Sequence, residues 1–312
     1  MPSHANQRNA IRSTWLNSTY WNFDPNIEIH HIFLLGVEDG VTVSESEHQY
    51  QDILQTDFME SHYNLSIKDY NFFKFIDHHC SNTDFVFKGD DDILLVPENA
   101  MYNMDTIRPS VAHNFSMTGC LKKAEPVNRK IKSKYYTPTD ILADDHLPSY
   151  FSGAGYFMSK SALSKILPIR NAVPILPLDD VYVGLLIQAA GLSSQMRQSI
   201  SICTGVHAFE NSVYTRESNV GWGLTDIPKN PCAIAGLTIF HRFDDSSQME
   251  SAFKKLNECK SSKLCTEASI TKYEARWRKK PLHYFIGDEF KIMCNNFVNP
   301  VLYSRILPDT SN

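Results

Sequence analysis

Three consecutive carboxylates, Asp90, Asp91 and Asp92, lie between two apolar runs, and this feature constrains the chain more than any other. The run Phe85–Phe87 before them is typical of a buried strand, and Ile93–Val96 follows at once. Carboxylates held so close together repel one another unless a cation or hydrogen-bond donors offset their charge. A strand that ends in such a cluster suits Mg²⁺ or Mn²⁺, which bind oxygen ligands and substrate phosphates. The cluster therefore indicates nucleotide chemistry, with a solvated Asp-rich turn as the alternative.

The length and charge of the chain narrow its class. Its 312 residues suffice for one large α/β domain or two smaller ones, and a hydrophobic fraction of 42% indicates a globular protein with a sizeable core. The net charge of −5 at pH 7 gives no electrostatic attraction for nucleic acid. We therefore expect no nucleic-acid partner.

Cysteines and glycosylation sequons favour an oxidising compartment. The 7 cysteines form no Cys-x-x-Cys pair and no zinc spacing, so we expect disulfides, and the odd number leaves at least one thiol unpaired or shared between chains. Sequons at Asn17, Asn64 and Asn114 indicate the same compartment. Residues 1–8 contain no apolar run, however, and no later run approaches the roughly 20 apolar residues of a transmembrane helix. As written, the chain shows no signal for entry into the secretory pathway.

Strand and helix patterns alternate in the first third of the chain. Ile27–Gly36 begins with period-two alternation and ends as an apolar run, which predicts a strand, and a polar linker over 37–49 follows. Ser66, with Asp69 three residues later, resembles a capping box and predicts a helix start. The apolar face of that helix holds Phe72, Phe73 and Ile76.

Two further helices are marked by their ends. Ser159 precedes apolar residues at helical spacing, and Pro168 ends that helix. The next helix begins at Asp179 and Asp180 and ends at Gly191. Strands that alternate with helices predict an α/β sheet layered by helices.

Four ordered segments together resemble the β-1,3-galactosyltransferase and β-1,3-N-acetylglucosaminyltransferase family, glycosyltransferase family 31. They are Arg8–Trp15, Lys88–Asp92, Tyr150–Tyr156 and Asp179–Gly184. The resemblance spans about residues 8–215. It implies a GT-A fold, in which a mixed sheet layered by helices binds a nucleotide sugar. It also implies UDP-galactose or UDP-N-acetylglucosamine as donor, Mn²⁺ as cofactor and a glycan as acceptor.

The resemblance implies a set of residues for the metal. Asp92 and His207 are expected to ligate Mn²⁺, while Asp90 and Asp91 are expected to face the ribose or to reach the metal through water. Taken without the family, His207 is more often a structural histidine, because a single His carries little information. Its assignment therefore depends on its place after the predicted helix and strand that follow Asp180.

Donor and acceptor contacts are implied in the same way. Arg12 and Lys68 are expected near the nucleotide, although either could be a surface cation. The glycines of the Tyr150–Tyr156 segment permit close approach of the backbone, and Ala154 stands where the family often has glycine. The residues expected to bind the acceptor are Tyr150, Ser152, Gly153 and Gly155.

An inverting transfer needs a base within reach of the acceptor hydroxyl, and by resemblance this base is Asp180. The alternative is that Asp179 or Asp180 only caps the helix that begins there. Asp179 replaces the glutamate of the family motif, so its first acid is shorter by one methylene while the expected base is retained.

The resemblance predicts a glycosyltransferase domain over 1–245 and a polar, basic extension of unassigned role over 246–312. Family members carry a membrane anchor, a stem and a hydrophobic strand before the Arg-rich motif, and these do not precede Arg8 here. The first core strand is therefore expected to be missing from this chain. Family members are Golgi-luminal, and only an anchor absent from this chain would attach the protein to a membrane.

Two functions remain open at this point. The first is a metal-dependent, inverting hexosyltransferase that extends glycans in β-1,3 linkage during protein glycosylation. The alternative is a catalytically inactive, truncated relative that binds carbohydrate or acts as a scaffold. Retention of the aspartate cluster and Asp180 favours the enzyme, and the expected loss of the first strand favours the alternative. The donor sugar and the acceptor glycan are not distinguished.

Overall fold

The computed structural model describes residues 1–21, 28–108, 115–199, 202–203, 237–243 and 245–262. It divides the chain into two units, which are described separately. Unit 1 comprises Met1–Asp91 and Met101–Ser199, and unit 2 comprises Asp92–Ala100 and Ile200–Asn312.

Two parallel strands stand in the first half of unit 1. They are β1 (Phe33–Val37) and β2 (Ile53–Met59), and Phe33 lies opposite Ile53. The strand predicted over 27–36 is therefore wrong for residues 28–32, which are irregular. The ladder begins at Phe33 because its partner strand begins only at Ile53. The predicted linker contains a short helix, which we number α2 (Glu45–His48) after the N-terminal α1 (Ala5–Ser13).

A four-stranded mixed sheet forms the centre of unit 1. Its strands are β3 (Phe85–Gly89), β5 (Met117–Lys122), β6 (Tyr150–Ser159) and β7 (Met196–Gln198). Their spatial order is β3-β6-β5-β7, with antiparallel pairing of β6 to both neighbours and parallel pairing of β5 to β7. The prediction of an α/β fold with a mixed sheet and helices is confirmed.

The helices agree with the sequence patterns except at one start. The helix α3 (Leu65–His79) contains Ser66, so the predicted capping box is wrong. A 3₁₀ turn over His62–Asn64 leads directly into α3, and the buried Ser66 hydroxyl donates instead to the Leu176 carbonyl. The Ser159 hydroxyl caps α5 (Lys160–Ile166) by accepting from the Ala162 amide, as predicted. The helix α6 (Asp179–Ala189) also begins where predicted.

Apolar side chains of α3, α5 and α6 pack on β6 to form the core of unit 1. The predicted face of α3 is confirmed, because Phe73 is buried and Phe72 and Ile76 are partly buried against the same cluster. Leu163 from α5 and Tyr182 from α6 lie in it as well. This packing fixes the start of α6 against the sheet.

Unit 2 holds the second apolar run. The strand β4 (Ile93–Leu95) pairs antiparallel with β8 (Ile239–His241). The long helix α7 (Ser246–Ser262) supplies buried apolar residues next to β4, namely Met249, Phe253 and Leu256. The described helices also include α4 (Pro97–Asp105). In the described part of the chain, no helix combines the length and apolarity needed to cross a bilayer.

The close approach of α6 to β6 gives a first prediction. A Cβ at Gly184 would lie 2.7 Å from the Tyr150 Cβ and 2.8 Å from the Ser149 carbonyl oxygen. Gly184→Ala is therefore expected to lower the free energy of unfolding by about 1–3 kcal/mol through overpacking. Gln188→Ala, on the exposed side of the same helix, should change it by less than about 0.5 kcal/mol. Urea unfolding of both variants is the measurement, and equal stabilities would contradict the close packing.

Candidate functional site

The aspartate cluster follows β3 directly. Asp90 and Asp91 are the last residues of one segment of unit 1, and Asp92 is the first residue of a segment of unit 2. The Asp91 carboxylate lies 2.7 Å from the His4 Nδ1, and burial, which acts against the charged form, is outweighed by this partner, so the pKa of Asp91 is lowered. Asp91 is therefore held by a specific contact, within a turn in which Asp90 is exposed.

Behind the cluster, the Lys88 ammonium is buried among carboxylates. Its Nζ lies 2.6 Å from Asp179 Oδ2, 3.6 Å from Asp90 Oδ1 and 3.7 Å from Asp69 Oδ2. Burial alone would lower the pKa of Lys88, but the carboxylates outweigh it and raise the pKa well above its usual value. Lys88 is therefore a permanent cation at the end of β3.

Asp180 occupies the first turn of α6 beside this cation. Its Oδ1 accepts from the Val181 amide at 2.8 Å and its Oδ2 accepts from the Gly153 amide at 3.3 Å. The residue at the N-cap position is Leu178, so Asp180 is not the N-cap residue, although it accepts from one amide of the first turn. Burial, followed by the adjacent Asp179 carboxylate, raises the pKa of Asp180 to about 7. A carboxyl group with this pKa can accept a proton at neutral pH.

Asp179 has the opposite electrostatics. Burial acts to raise its pKa, but the Lys88 ammonium outweighs burial and holds the pKa of Asp179 below its usual value. The pKa values of two adjacent acids on one helix turn thus differ. Asp179 stays charged, whereas Asp180 titrates near neutral pH. Such divergence is typical of acid–base sites.

Asp69 is a member of this cluster that the sequence did not indicate as functional. It lies in α3 with 5% exposure, and its Oδ2 is buried without a hydrogen-bond partner. Burial raises the pKa of Asp69 to about 8, and the Lys88 ammonium only partly counters this. Tyr156 of β6 lies in the same surroundings, with its hydroxyl buried and without a hydrogen-bond partner. No sequence pattern could have indicated Asp69, because it stands in an ordinary amphipathic helix.

Unit 2 contains a possible pair of metal ligands. Asp92 Oδ1 and His241 Nε2 are 3.5 Å apart, and β4 and β8 hold them side by side. One carboxylate oxygen and one imidazole nitrogen at this separation can share a divalent metal ion. The sequence analysis missed His241, since it is an isolated histidine at the end of a short apolar run. His207, the predicted ligand, lies outside the described residues.

The two cations expected near the nucleotide are engaged with buried acids. The Arg12 guanidinium makes two hydrogen bonds to Asp52, at 2.7 and 2.8 Å, and lies over the Tyr50 ring. The Lys68 ammonium donates to Glu60 at 2.8 Å, and Glu60 in turn accepts from the Gly36 amide. These pairs tie α1 and α3 to the β1–β2 region. A nucleotide role for Arg12 and Lys68 stays a prediction.

The segment expected to bind the acceptor lies along β6. The Tyr150 hydroxyl donates to Glu125 at 2.5 Å, and Gly155 is paired with Gly89 at the end of β3. Gly153 is held at both ends, because its amide donates to Asp180 and its carbonyl accepts from Lys88 at 3.4 Å. Ser152 is half-buried on the same strand. The structure thus brings Gly153 and Asp180 together.

Residues 6–198 match the family described as Galactosyltransferase, which covers more than half of the chain. The chain belongs to the Galactosyltransferase family. It is similar to mouse N-acetyllactosaminide beta-1,3-N-acetylglucosaminyltransferase 4, with 29% identity over 245 residues, covering 77% of this chain and 64% of the relative.

Two more relatives carry related names. Mouse UDP-GlcNAc:betaGal beta-1,3-N-acetylglucosaminyltransferase 7 is 29% identical over 235 residues, covering 75% of this chain and 52% of that protein. Mouse beta-1,3-galactosyltransferase 2 is 32% identical over 192 residues, covering 59% of this chain and 44% of that protein. The chain thus spans less than two thirds of the length of these curated relatives.

The Arg12 contacts give a second prediction. Arg12→Ala is expected to lower the free energy of unfolding by about 3 kcal/mol, because the buried Asp52 carboxylate loses its guanidinium partner and keeps the His31 ring nitrogen at 3.1 Å. Arg108→Ala is the control, since its pair with Asp105 is exposed and should contribute less than about 0.5 kcal/mol. Urea unfolding of both variants at neutral pH is the measurement. A loss no larger for Arg12 than for Arg108 would contradict a structural role for Arg12.

Proposed function

We propose that this protein is an inverting hexosyltransferase that moves galactose or N-acetylglucosamine from a UDP-sugar to a glycan acceptor in β-1,3 linkage. Membership of the Galactosyltransferase family and the names of the relatives support this class of reaction. The observation that carries the proposal is the Asp180 carboxyl group, which is held on the Gly153 amide and has its pKa raised to about 7. That is the placement and basicity expected of a general base.

The transfer is a single displacement. The Asp180 carboxylate takes the proton from the acceptor hydroxyl as its oxygen attacks the anomeric carbon of the UDP-α-sugar. The bond from that carbon to the diphosphate oxygen breaks on the opposite face, so the new linkage is β. Gly153, which has no side chain, allows the acceptor to approach Asp180 along β6. The acceptor residues predicted on this strand are therefore retained in the proposal.

Mn²⁺ is the proposed cofactor, held by Asp92 and His241. A carboxylate oxygen and an imidazole nitrogen are suitable ligands for it, and their 3.5 Å separation fits two ligands of one ion. When bound, a divalent ion stabilises the negative charge that develops on the departing UDP. Asp90 and Asp91 keep their proposed place near the ribose or in the outer sphere of the metal.

The setting of the reaction is also part of the proposal. A GT-A fold is proposed, in agreement with the mixed sheet of unit 1 and with the family. A location in the lumen of the Golgi apparatus is proposed from the family. Cys120 takes part in a disulfide, and so does Cys203, which supports an oxidising compartment, whereas Cys80 is a free thiol.

The role of Asp180 gives a third prediction. Asp180→Asn is expected to slow turnover about 100-fold or more, because the amide cannot accept the hydroxyl proton. The variant should be at least as stable as the wild type at neutral pH, since the amide oxygen remains an acceptor and a buried carboxylate with a raised pKa is removed. Sugar transfer from UDP-galactose and UDP-N-acetylglucosamine is measured alongside thermal unfolding.

Asp105→Asn serves as the matched control, because Asp105 is an exposed partner of Arg108. It should leave turnover unchanged. Unchanged turnover in Asp180→Asn, or a loss that follows unfolding, would remove Asp180 as the base.

The proposed metal site gives a fourth prediction. UDP is expected to bind at least about tenfold more weakly without Mn²⁺, and Asp92→Ala and His241→Ala should each weaken binding in its presence, because the ion links protein ligands to the diphosphate. Isothermal titration calorimetry with and without Mn²⁺ is the measurement. His30→Ala is the control, since that histidine is exposed. Equal UDP affinity in all titrations would exclude this metal site.

A further inference from the structure

The Lys88 ammonium divides its contacts unequally among the acids around it. It lies 2.6 Å from Asp179, which is hydrogen-bonding distance, but 3.7 Å from Asp69, which is not. A further hydrogen bond goes to the Gly153 carbonyl at 3.4 Å. Lys88 therefore hydrogen-bonds to the start of α6 and the middle of β6, whereas Asp69 of α3 lies beyond hydrogen-bonding distance.

One oxygen of Asp69 is left without a donor. Its Oδ2 is fully buried and has no hydrogen-bond partner. An ionised carboxylate in such a place loses its hydration without replacement, which is strongly unfavourable. Protonation of Asp69 removes this cost, and it leaves Asp179 as the acid that Lys88 neutralises.

Lys88 and Asp180 both hydrogen-bond to the backbone of Gly153. Lys88 donates to the Gly153 carbonyl, and Asp180 accepts from the Gly153 amide. Lys88 also holds Asp179, whose neighbour in the chain is Asp180. Movement of Lys88 would therefore shift Gly153, whose amide binds the Asp180 carboxylate, and the start of the helix that carries Asp180.

We propose that Lys88 is a positioning residue that fixes Asp180 through Asp179 and Gly153, and that Asp69 is a neutral, protonated neighbour that leaves Lys88 available for this role. The inference rests on the proposed function of Asp180 as the base. It adds two residues that do not touch the reacting atoms.

Several charged or titratable groups face Asp69, and all bear on its protonation. Lys88 and Asp90 come from the end of β3, Asp179 and Asp180 from α6, and Tyr156 from β6. One cation thus faces several acids. Burial raises the pKa of Asp69 from 3.8 to about 8, in agreement with a carboxyl group that is neutral at pH 7.

The first test uses Asp69→Asn, a neutral variant of the same shape. If native Asp69 holds its proton until about pH 8, the folded protein binds a proton that the unfolded chain has already released above about pH 4. The stability of the wild type relative to Asp69→Asn should therefore fall as the pH rises from about 4 to about 8 and then level off. Thermal unfolding of both proteins across this range is the measurement.

An ionised Asp69 paired with Lys88 gives the opposite sign. Its pKa would be lowered, so the wild type would hold a constant advantage over Asp69→Asn above about pH 4. That result, or an absence of any pH-dependent difference, overturns the assignment of Asp69.

The second test addresses Lys88. Lys88→Met alone leaves buried acids without their cation, so the double variant Lys88→Met/Asp179→Asn removes the pair as a neutral unit. We expect it to fold and to bind UDP with Mn²⁺ like the wild type, while kcat falls by about tenfold or more at unchanged KM for the donor. Lys160→Met/Asp77→Asn, which removes another 2.6 Å ion pair of unit 1, is the matched control and should keep kcat.

The outcomes separate the two proposals. If the wild type transfers sugar and the Lys88→Met/Asp179→Asn protein keeps kcat within about twofold, the positioning role of Lys88 is wrong and the proposed function stands. If the wild type transfers no sugar from either donor with Mn²⁺ present, the proposed function is wrong and the positioning role falls with it.

Discussion

The ion pair between the buried Lys88 ammonium and Asp179 is the interaction on which the geometry around Asp180 depends. A buried charge is tolerated only when it is paired, and Lys88 finds its partner in Asp179 at 2.6 Å. This pair joins the end of β3 to the start of α6, while the apolar side chains of α3, α5 and α6 hold the helix against β6. The ion pair and the core together place Asp180 on the Gly153 amide.

The adjacent acids of α6 show how one environment produces two chemistries. Lys88 binds Asp179 directly and keeps it charged, whereas on Asp180 burial, followed by the repulsion of Asp179, outweighs the attraction of Lys88 and the amide hydrogen bonds. Its pKa is therefore raised into the neutral range. Permanent charge on Asp179 secures the geometry, and titration of Asp180 near neutral pH is what its proposed role as the base requires. Membership of the Galactosyltransferase family is the reason for relating this pair of acids to sugar transfer.

Local patterns predicted much of the fold, and contacts between distant segments account for the rest. The apolar run before the aspartates and the Ser159 cap depend on neighbouring residues, and both were predicted correctly. The capping box at Ser66 failed because the Ser66 hydroxyl bonds a carbonyl 110 residues away. Asp69 and His241 could not be assigned, because only the folded chain brings Asp69 to Lys88 and His241 to Asp92.

The pH dependence of kcat/KM for the wild type tests the central claim most directly, because this ratio reports the protonation of the free enzyme. If Asp180 is the base, kcat/KM should rise tenfold per pH unit at acidic pH and level off above an apparent pKa of about 7. The residual activity of Asp180→Asn should lack this rise. A kcat/KM that is independent of pH from about 5 to about 8, or the same rise in Asp180→Asn, would contradict the account.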